Sequence, residues 1–156
     1  MYAKSVSNIE VFQGLDNRQI EELYSWLERR DFGAGADILR EGEVPNGLFL
    51  LCEGKVSVVK GSMRGKFKLD EISSPSFFGE VALLDSAVRS ATVKAVTPVV
   101  TGLLSTEIFD GKIRANNLTA LLIALNLGRI LARRFRTVTT TLANKTAAIS
   151  KVRPVR

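Results

Sequence analysis

Closely spaced glycines interrupt short runs of β-branched, aromatic and aliphatic residues between Gly33 and about Thr106. The runs include GLFLL, KVSVV, FKLDEI, ATVKAV and VVTGLL, which have the composition of short strands. The interrupting glycines are Gly33, Gly35, Gly42, Gly47, Gly54, Gly61 and Gly65. Many short strands joined by glycine turns are typical of an antiparallel sandwich or roll. The centre of the chain is therefore predicted to be an antiparallel β-roll, or jelly roll.

A helical pattern precedes this β-rich segment. The stretch IEVFQGLDNRQIEELYSWLERRDF predicts an opening helical segment in which Asp16 is the N-cap. Its apolar residues recur at helical spacing on one face: Ile20, Leu23, Trp26 and Leu27.

A second and longer helical pattern follows the β-rich segment, from about residue 117 to 143, with Asn116 or Asn117 as the N-cap. Its apolar seam advances by three or four residues at a time: Ala124, Leu127, Leu131, Phe135, Val138 and Leu142. The seam is nearly that of a coiled coil, so a homodimer through residues 117–142 is one candidate assembly.

Together these patterns predict a fold that is mainly β with flanking helices. The β-roll spans about residues 33–106, with an N-terminal helical segment, a short helix between strands and a long C-terminal helix. Residues 1–143 are long enough for one domain with its own core. Residues 144–156 are predicted to be a basic tail or linker.

Charge is divided sharply along the chain. From Gly111 onward there are ten Lys and Arg residues and no acid, whereas residues 1–110 contain twelve bases and all sixteen acids. Such a split suggests two parts with different roles. The basic part is typical of a solvated helix followed by a linker. Contact with nucleic acid is the sharper alternative, but no recognition-helix pattern or aromatic interleaving supports it.

The single cysteine and the absence of histidine exclude several kinds of site. One thiol forms no internal disulfide, so we expect a cytoplasmic location, with Cys52 as a buried strand residue. One cysteine holds no iron–sulfur cluster, and a chain without histidine forms no Ser–His–Asp triad and no histidine-ligated haem or metal site. No apolar run approaches the ~18 residues of a membrane span, and the N-terminus lacks the apolar region of a signal peptide. We therefore expect no enzymatic activity, no metal, haem or iron–sulfur cofactor, and no membrane partner.

The stretch FFGEVALLDSAVRSATV interrupts the strands with one acid, Glu80, and one base, Arg89, on either side of a short apolar turn. Gly79 allows the backbone to approach a ligand closely, and a turn of helix exposes N–H groups that favour an anion. The arginine fork suits a phosphate, while an ionised carboxylate suits a pair of sugar hydroxyls. A cross-loop salt bridge between the two charges is the structural alternative. The apolar side chains of the stretch are expected to pack in the core: Phe77, Phe78, Val81, Leu83 and Leu84.

The longer stretch FFGEVALLDSAVRSATVKAV resembles the phosphate-binding cassette of the cyclic nucleotide-binding domain family. That family includes the bacterial catabolite activator protein and the regulatory subunits of cAMP-dependent protein kinase. Upstream, VFQGLDNRQIEEL and GADILREGEVPNGLFLLCEGKVSVVK are similar to the family's opening helix and first strands. Downstream, LARRFRTVTTTL resembles the long helix that covers the ligand. The resemblance extends from about Ile9 to Leu142.

The resemblance implies separate roles for the residues of the cassette. Glu80 is expected to bind the ribose 2′-hydroxyl and Arg89 the cyclic phosphate. Backbone N–H groups of residues 79–82 and of Ser90 and Ala91 would act as further donors. A serine at position 90 favours cAMP over cGMP, because the family associates a threonine there with cGMP. The resulting set of ligand-binding residues is Phe78, Gly79, Glu80, Val81, Ala82, Arg89, Ser90, Ala91, Leu69 and Thr139.

The last two members of this set concern the base. The resemblance implies that the base lies against apolar roll residues, with Leu69 as a candidate, and under the long helix. Thr139 would meet it from the helix, in a cluster with Thr137, Val138 and Thr140. A frayed or capping helix end is an equal explanation for these threonines, which helix propensity does not favour.

The resemblance also implies a switch, in which the ligand orders the cassette and shifts the long helix. Only residues 144–156 follow that helix, too few to fold as an output domain. We therefore expect either the sensor part of a longer protein or a stand-alone module that acts through a partner. The effector domain or partner protein stays open. The alternative is a nucleotide-independent interaction or DNA-associating module that uses the basic C-terminal region.

Overall fold

The computed structural model describes residues 7–85 and 87–152. Within them, eight strands form two four-stranded antiparallel sheets, ordered β1-β8-β3-β6 and β2-β7-β4-β5. The strands are β1 (Leu27–Phe32), β2 (Asp37–Leu39), β3 (Gly47–Glu53), β4 (Lys55–Ser62), β5 (Gly65–Ser73), β6 (Ser76–Phe78), β7 (Thr92–Ala95) and β8 (Val99–Ser105). The predicted fold class, an antiparallel roll with flanking helices, is confirmed.

The helices lie at both ends of the roll and at one interruption within it. A 3-10 turn (Glu10–Phe12) is followed by α1 (Asn17–Tyr24), α2 (Ala82–Asp85), α3 (Thr106–Arg114) and α4 (Leu118–Val152). Asp16 caps α1 as predicted, since its side chain accepts a hydrogen bond from the Gln19 N–H at 2.8 Å. The prediction did not include α3, although its N-cap, Ser105, is of a favoured type.

The predicted opening helix is wrong after Tyr24. Residues Leu27–Phe32 form β1, and each of them pairs with a residue of β8, from Leu104 back to Val99. The four middle residues of β1 are exposed, so this edge strand lacks the apolar alternation that indicates a strand. Pairing with β8 overrides the helical preference of its Leu, Glu and Arg residues.

The long helix α4 begins as predicted but ends later. Asn117 caps it, because its Oδ1 accepts a hydrogen bond from the Ala120 N–H at 3.0 Å. The helix continues to Val152, beyond the predicted end at residue 143, because residues 144–152 contain no proline or glycine. Residues 153–156 of the predicted tail lie outside the described residues.

Only the first part of α4 packs on the body of the domain, through Thr119, Ala120, Ile123, Leu127 and Ile130. Of the predicted seam, Leu127 is buried and Ala124 and Leu131 are partly buried. The remaining seam residues, Phe135, Val138 and Leu142, are exposed. In the described part of the chain, no single helix is long and apolar enough to cross a membrane. Thr106–Arg114 and Leu118–Ile149 meet those criteria only as a pair bent by 114°.

The core consists of two apolar clusters. One lies between the two sheets and includes Phe49, Val56 and Phe78, and the other joins the first sheet to the helices. Phe77, Phe78 and Leu83 are buried as predicted, but Val81 and Leu84 are exposed, which corrects their assignment to the core. Helix α2 is a single turn, so only one of its sides meets the roll.

Candidate functional site

A cavity of about 670 Å³ lies between the second sheet and the loop that carries α2. Its floor is apolar, with Val58 of β4, Ile72 of β5 and Val93 of β7. Its rim is formed by the turn at Gly79 and by the segment that leads from α2 into β7. Arg134 of α4 also lines the cavity. The volume suits a small-molecule ligand, and the lining suits one with a polar end and an apolar end.

Arg89 is buried in this rim, with 6% of its surface exposed. Its Nη1 donates to the Gly79 carbonyl at 3.0 Å, and its Nη2 donates to the Gly47 carbonyl at 2.7 Å and to the Asn46 side chain at 2.8 Å. Burial lowers the pKa of Arg89, and the negative charges of Glu80 and Glu43 oppose that shift. The group remains a fixed cation at neutral pH, so the rim holds an oriented positive charge.

The turn before the acid requires glycine for two reasons. Gly79 has φ +77°, a left-handed conformation that residues with a side chain rarely adopt. A Cβ atom at this position would lie 2.8 Å from Nη1 of Arg89 and 3.2 Å from Cδ1 of Leu39. The backbone of residue 79 therefore sits directly against the guanidinium group and accepts its hydrogen bond.

The carboxylate of Glu80 is bound to α4. Glu80 is 7% exposed, and its Oε1 accepts a hydrogen bond from Nη1 of Arg134. The Arg134 guanidinium also lies over the ring of Phe77, 5.5 Å from its centroid. A single ion pair thus joins the cavity to the long helix.

A family model described as cyclic nucleotide-binding domain matches residues 29–116, more than half of the chain. The chain belongs to the cyclic nucleotide-binding domain family.

Relatives of known sequence and structure agree with this assignment. The cyclic AMP receptor protein of Thermus thermophilus is 32% identical over 127 residues, which are 81% of this chain and 57% of that protein. Human cGMP-dependent protein kinase 2 is 35% identical over 100 residues, 64% of this chain and 13% of the kinase. The crystal structure of the Thermus thermophilus catabolite activator protein has a TM-score of 0.79 and 30% identity, covering 88% of this chain and 63% of that one. This cyclic nucleotide-binding domain thus spans less than two thirds of each of these proteins.

Most of the predicted ligand-binding residues lie together in the cavity wall. Among the described residues, the lining includes Phe78, Gly79, Glu80, Val81, Arg89, Ser90 and Ala91. Ala82 is the first residue of α2, directly after the turn. The Ser90 carbonyl accepts a hydrogen bond from Nζ of Lys60 at 2.5 Å, and Lys60 also pairs with Glu41 at 2.7 Å. A second cation therefore holds the cassette at the end next to Arg89.

The two residues predicted to meet the base do not reach the cavity. Leu69 is 61% exposed on β5, and Thr139 is an exposed residue of α4 whose hydroxyl donates to the Phe135 carbonyl at 2.9 Å. Neither belongs to the lining. Their contact with a bound base remains a prediction.

The alternative of a cross-loop salt bridge does not describe this site. The described residues contain no ion pair between Glu80 and Arg89, because Glu80 pairs with Arg134 and the Arg89 terminal nitrogens bond to carbonyl and amide oxygens. Arg134 lines the cavity and pairs with Glu80, but it was not among the site residues predicted from the sequence. Arg134 belongs to the basic segment LARRFR, which was visible in the sequence. Its neighbour Arg133 pairs with Glu10 instead, so the segment alone does not indicate which arginine faces the cavity. The described part of the chain also contains no cluster of acidic or thiol side chains suited to a metal ion.

Proposed function

We propose that this domain is a cyclic nucleotide sensor that binds cAMP, and less favourably cGMP, in the cavity beside α2. The observation that carries the proposal is a buried arginine and a buried carboxylate at one end of a cavity with an apolar floor. Arg89 binds the cyclic phosphate and Glu80 the ribose 2′-hydroxyl. The serine at position 90, in place of threonine, supports cAMP. The relatives include both a cyclic AMP receptor protein and a cGMP-dependent protein kinase. The role is regulatory binding rather than catalysis.

The ion pair between Glu80 and Arg134 supplies a route from ligand to helix. A ribose hydroxyl that donates to Glu80 competes with Arg134 for the same carboxylate. Binding therefore changes the contact that holds α4 against the cavity. Because a ligand shifts an equilibrium only by its differential affinity for the two states, the exchange at Glu80 is the step that couples occupancy to the helix.

The exposed part of α4 is the surface through which the domain signals, and we assign it to a second copy of the chain. Phe135, Val138 and Leu142 are 64–73% exposed and follow Leu131 at steps of four, three and four residues. That spacing matches a coiled-coil seam. We expect a dimer by light scattering coupled to size exclusion, and a monomer for Leu142→Glu. A wild-type protein that is monomeric at micromolar concentration would contradict the assignment of this surface to a second copy.

The alternative, a nucleotide-independent or DNA-associating module, depends on unpaired Lys and Arg side chains in the C-terminal region. Arg133 and Arg134 are engaged by Glu10 and Glu80, which reduces the positive charge available to phosphates. DNA retention that weakens with rising salt and ignores nucleotide would favour this alternative.

Titration calorimetry with cAMP, cGMP and cyclic dinucleotides tests the proposal. We expect wild type to bind cAMP, and Arg89→Ala to lose at least about tenfold in affinity, because one charge-assisted hydrogen bond contributes roughly 1.5–3 kcal/mol. Arg89 also anchors the turn at Gly79, so Arg89→Lys and a thermal melt distinguish lost binding from lost folding. Arg30→Ala is the matched control, because Arg30 is an exposed arginine on β1 whose side chain pairs with Glu28 on the same strand and does not line the cavity. No heat from wild type with any of these ligands would refute the proposal.

A further inference from the structure

One row of side chains crosses the inner face of the whole second sheet. Leu39 of β2 pairs with Val93 of β7, Val93 pairs with Val58 of β4, and Val58 pairs with Asp70 of β5. Directly paired residues of antiparallel strands point to the same face of a sheet. All four residues line the cavity. This row of the cavity wall is therefore three aliphatic side chains followed by one carboxylate at the edge strand.

One end of this row adjoins the turn at Gly79 and the other end lies at the edge strand. Cδ1 of Leu39 lies 3.2 Å from the position of a Cβ at Gly79, so this end of the row adjoins the turn that holds Arg89. Asp70 is at the other end. Neighbouring strands are about 4.8 Å apart, so Asp70 lies roughly 10 Å across the sheet from Val93. A nucleotide whose phosphate is held at Arg89 extends along this row toward Asp70.

Asp70 differs from the other acids in the cavity wall. Glu80 is bound by Arg134, and Glu71 is bound by Lys68, which lowers the Glu71 pKa. Asp85 lies on α2, next to the phosphate end, and accepts a hydrogen bond from the Ala87 N–H. Asp70 has no ion-pair partner among the described residues.

One oxygen of Asp70 is engaged and one is open to a ligand. Its Oδ1 accepts a hydrogen bond from the Glu71 N–H at 2.8 Å. An ionised carboxylate is an acceptor only, so Oδ2 is available to an N–H or O–H donor of a ligand that lies along the row. The donors on a purine base are its exocyclic amino groups and ring N–H groups.

We propose that Asp70 accepts a hydrogen bond from the exocyclic amino group of the purine base and so selects cyclic nucleotides that carry such a group. The inference rests on the proposed function, because it takes the phosphate and sugar to be held at Arg89 and Glu80. Adenine carries the amino group at C6 and guanine at C2, and both present the same chemistry to a carboxylate. A base that places a carbonyl oxygen against Asp70 is repelled, which makes the edge strand a point of discrimination.

The test compares matched ligand pairs on matched variants by calorimetry. One pair is cAMP and purine riboside 3′,5′-cyclic monophosphate, which lacks the 6-amino group. The other pair is cGMP and inosine 3′,5′-cyclic monophosphate, which lacks the 2-amino group. Asp70→Leu removes the acceptor from an exposed edge position. Glu71→Gln is the control, because Glu71 is the neighbouring lining acid and already has a partner.

We expect wild type to prefer the amino-bearing member of one pair by about tenfold, the low end of a charged hydrogen bond. Asp70→Leu is expected to bring that ratio close to one while leaving the affinity for the deaminated ligand unchanged, and Glu71→Gln is expected to keep the ratio. The pair that responds identifies the amino group. A ratio that survives Asp70→Leu, or an equal loss of affinity for both members, overturns the role of Asp70 while the sensor function stands. Failure of wild type to bind any of the four ligands overturns both.

Discussion

Replacement of Gly79 by alanine tests whether the cassette turn and Arg89 form one unit. The left-handed φ of +77° costs an L-residue roughly 1–2 kcal/mol. The added Cβ also falls 2.8 Å from Nη1 of Arg89, so the guanidinium must move and its 3.0 Å bond to the Gly79 carbonyl is disturbed. Loss of one hydrogen bond to a buried charged group costs about 1.5–3 kcal/mol. Gly79→Ala is therefore expected to lower the free energy of unfolding by about 2.5–5 kcal/mol.

Gly35 provides the matched control for this substitution. It has φ +84°, and a Cβ there would meet no atom within 4 Å. Gly35→Ala thus has the cost of the left-handed conformation without a steric clash. We expect it to lower the free energy of unfolding by about 1–2 kcal/mol. Urea denaturation followed by circular dichroism measures both losses, and calorimetry with cAMP is expected to show weaker binding for Gly79→Ala only. Equal destabilisation by the two substitutions would refute the coupling between residue 79 and Arg89.

Three further predictions concern Arg134, Glu22 and Cys52. Arg134→Ala leaves Glu80 without its helix partner, so cAMP is expected to bind without changing hydrogen exchange in α4. A change in α4 exchange as large as in wild type would exclude this contact as the route. The hydrogen bond from the Thr119 hydroxyl lowers the pKa of Glu22 despite its partial desolvation. The stability from this carboxylate is present above the ordinary glutamate pKa and is lost as pH falls through the lowered value. Glu22→Gln should flatten the acid side of a plot of urea midpoint against pH, and parallel plots would argue against it. Burial raises the pKa of Cys52 to about 11, so labelling by a thiol reagent at pH 8 is expected only after unfolding; rapid labelling of the folded protein would contradict that.

The phosphate end of the site was predictable because its residues are close in sequence. Gly79, Glu80 and Arg89 lie within one short segment, and each has a residue type that its proposed chemistry requires. The atoms that hold Arg89 were not predictable. Asn46 and Gly47 come from a turn more than forty residues upstream, and only the packing of β3 beside β6 brings them to the guanidinium.

The helix side of the site depends on how α4 docks, which periodicity does not determine. Arg133 and Arg134 are adjacent in sequence and about 100° apart around the helix, so the rotational setting of the docked helix decides which of them faces Glu80. The apolar seam was visible, yet three of its six residues are exposed. The error at β1 has a similar origin, because its sequence carries helical preference and its strand state is imposed by β8.

The free length of α4 gives the Glu80–Arg134 contact a mechanical consequence. Val152 lies eighteen residues beyond Arg134, which is about 27 Å along a helix that rises 1.5 Å per residue. Arg134 thus lies near the point where α4 leaves the body of the domain, and the exposed apolar residues lie beyond it. A tilt of about 10° at that point displaces the far end by roughly 5 Å, nearly one helical turn. If the proposed exchange at Glu80 tilts α4 by this amount, the exposed apolar residues at its far end move out of register with a second helix packed against them.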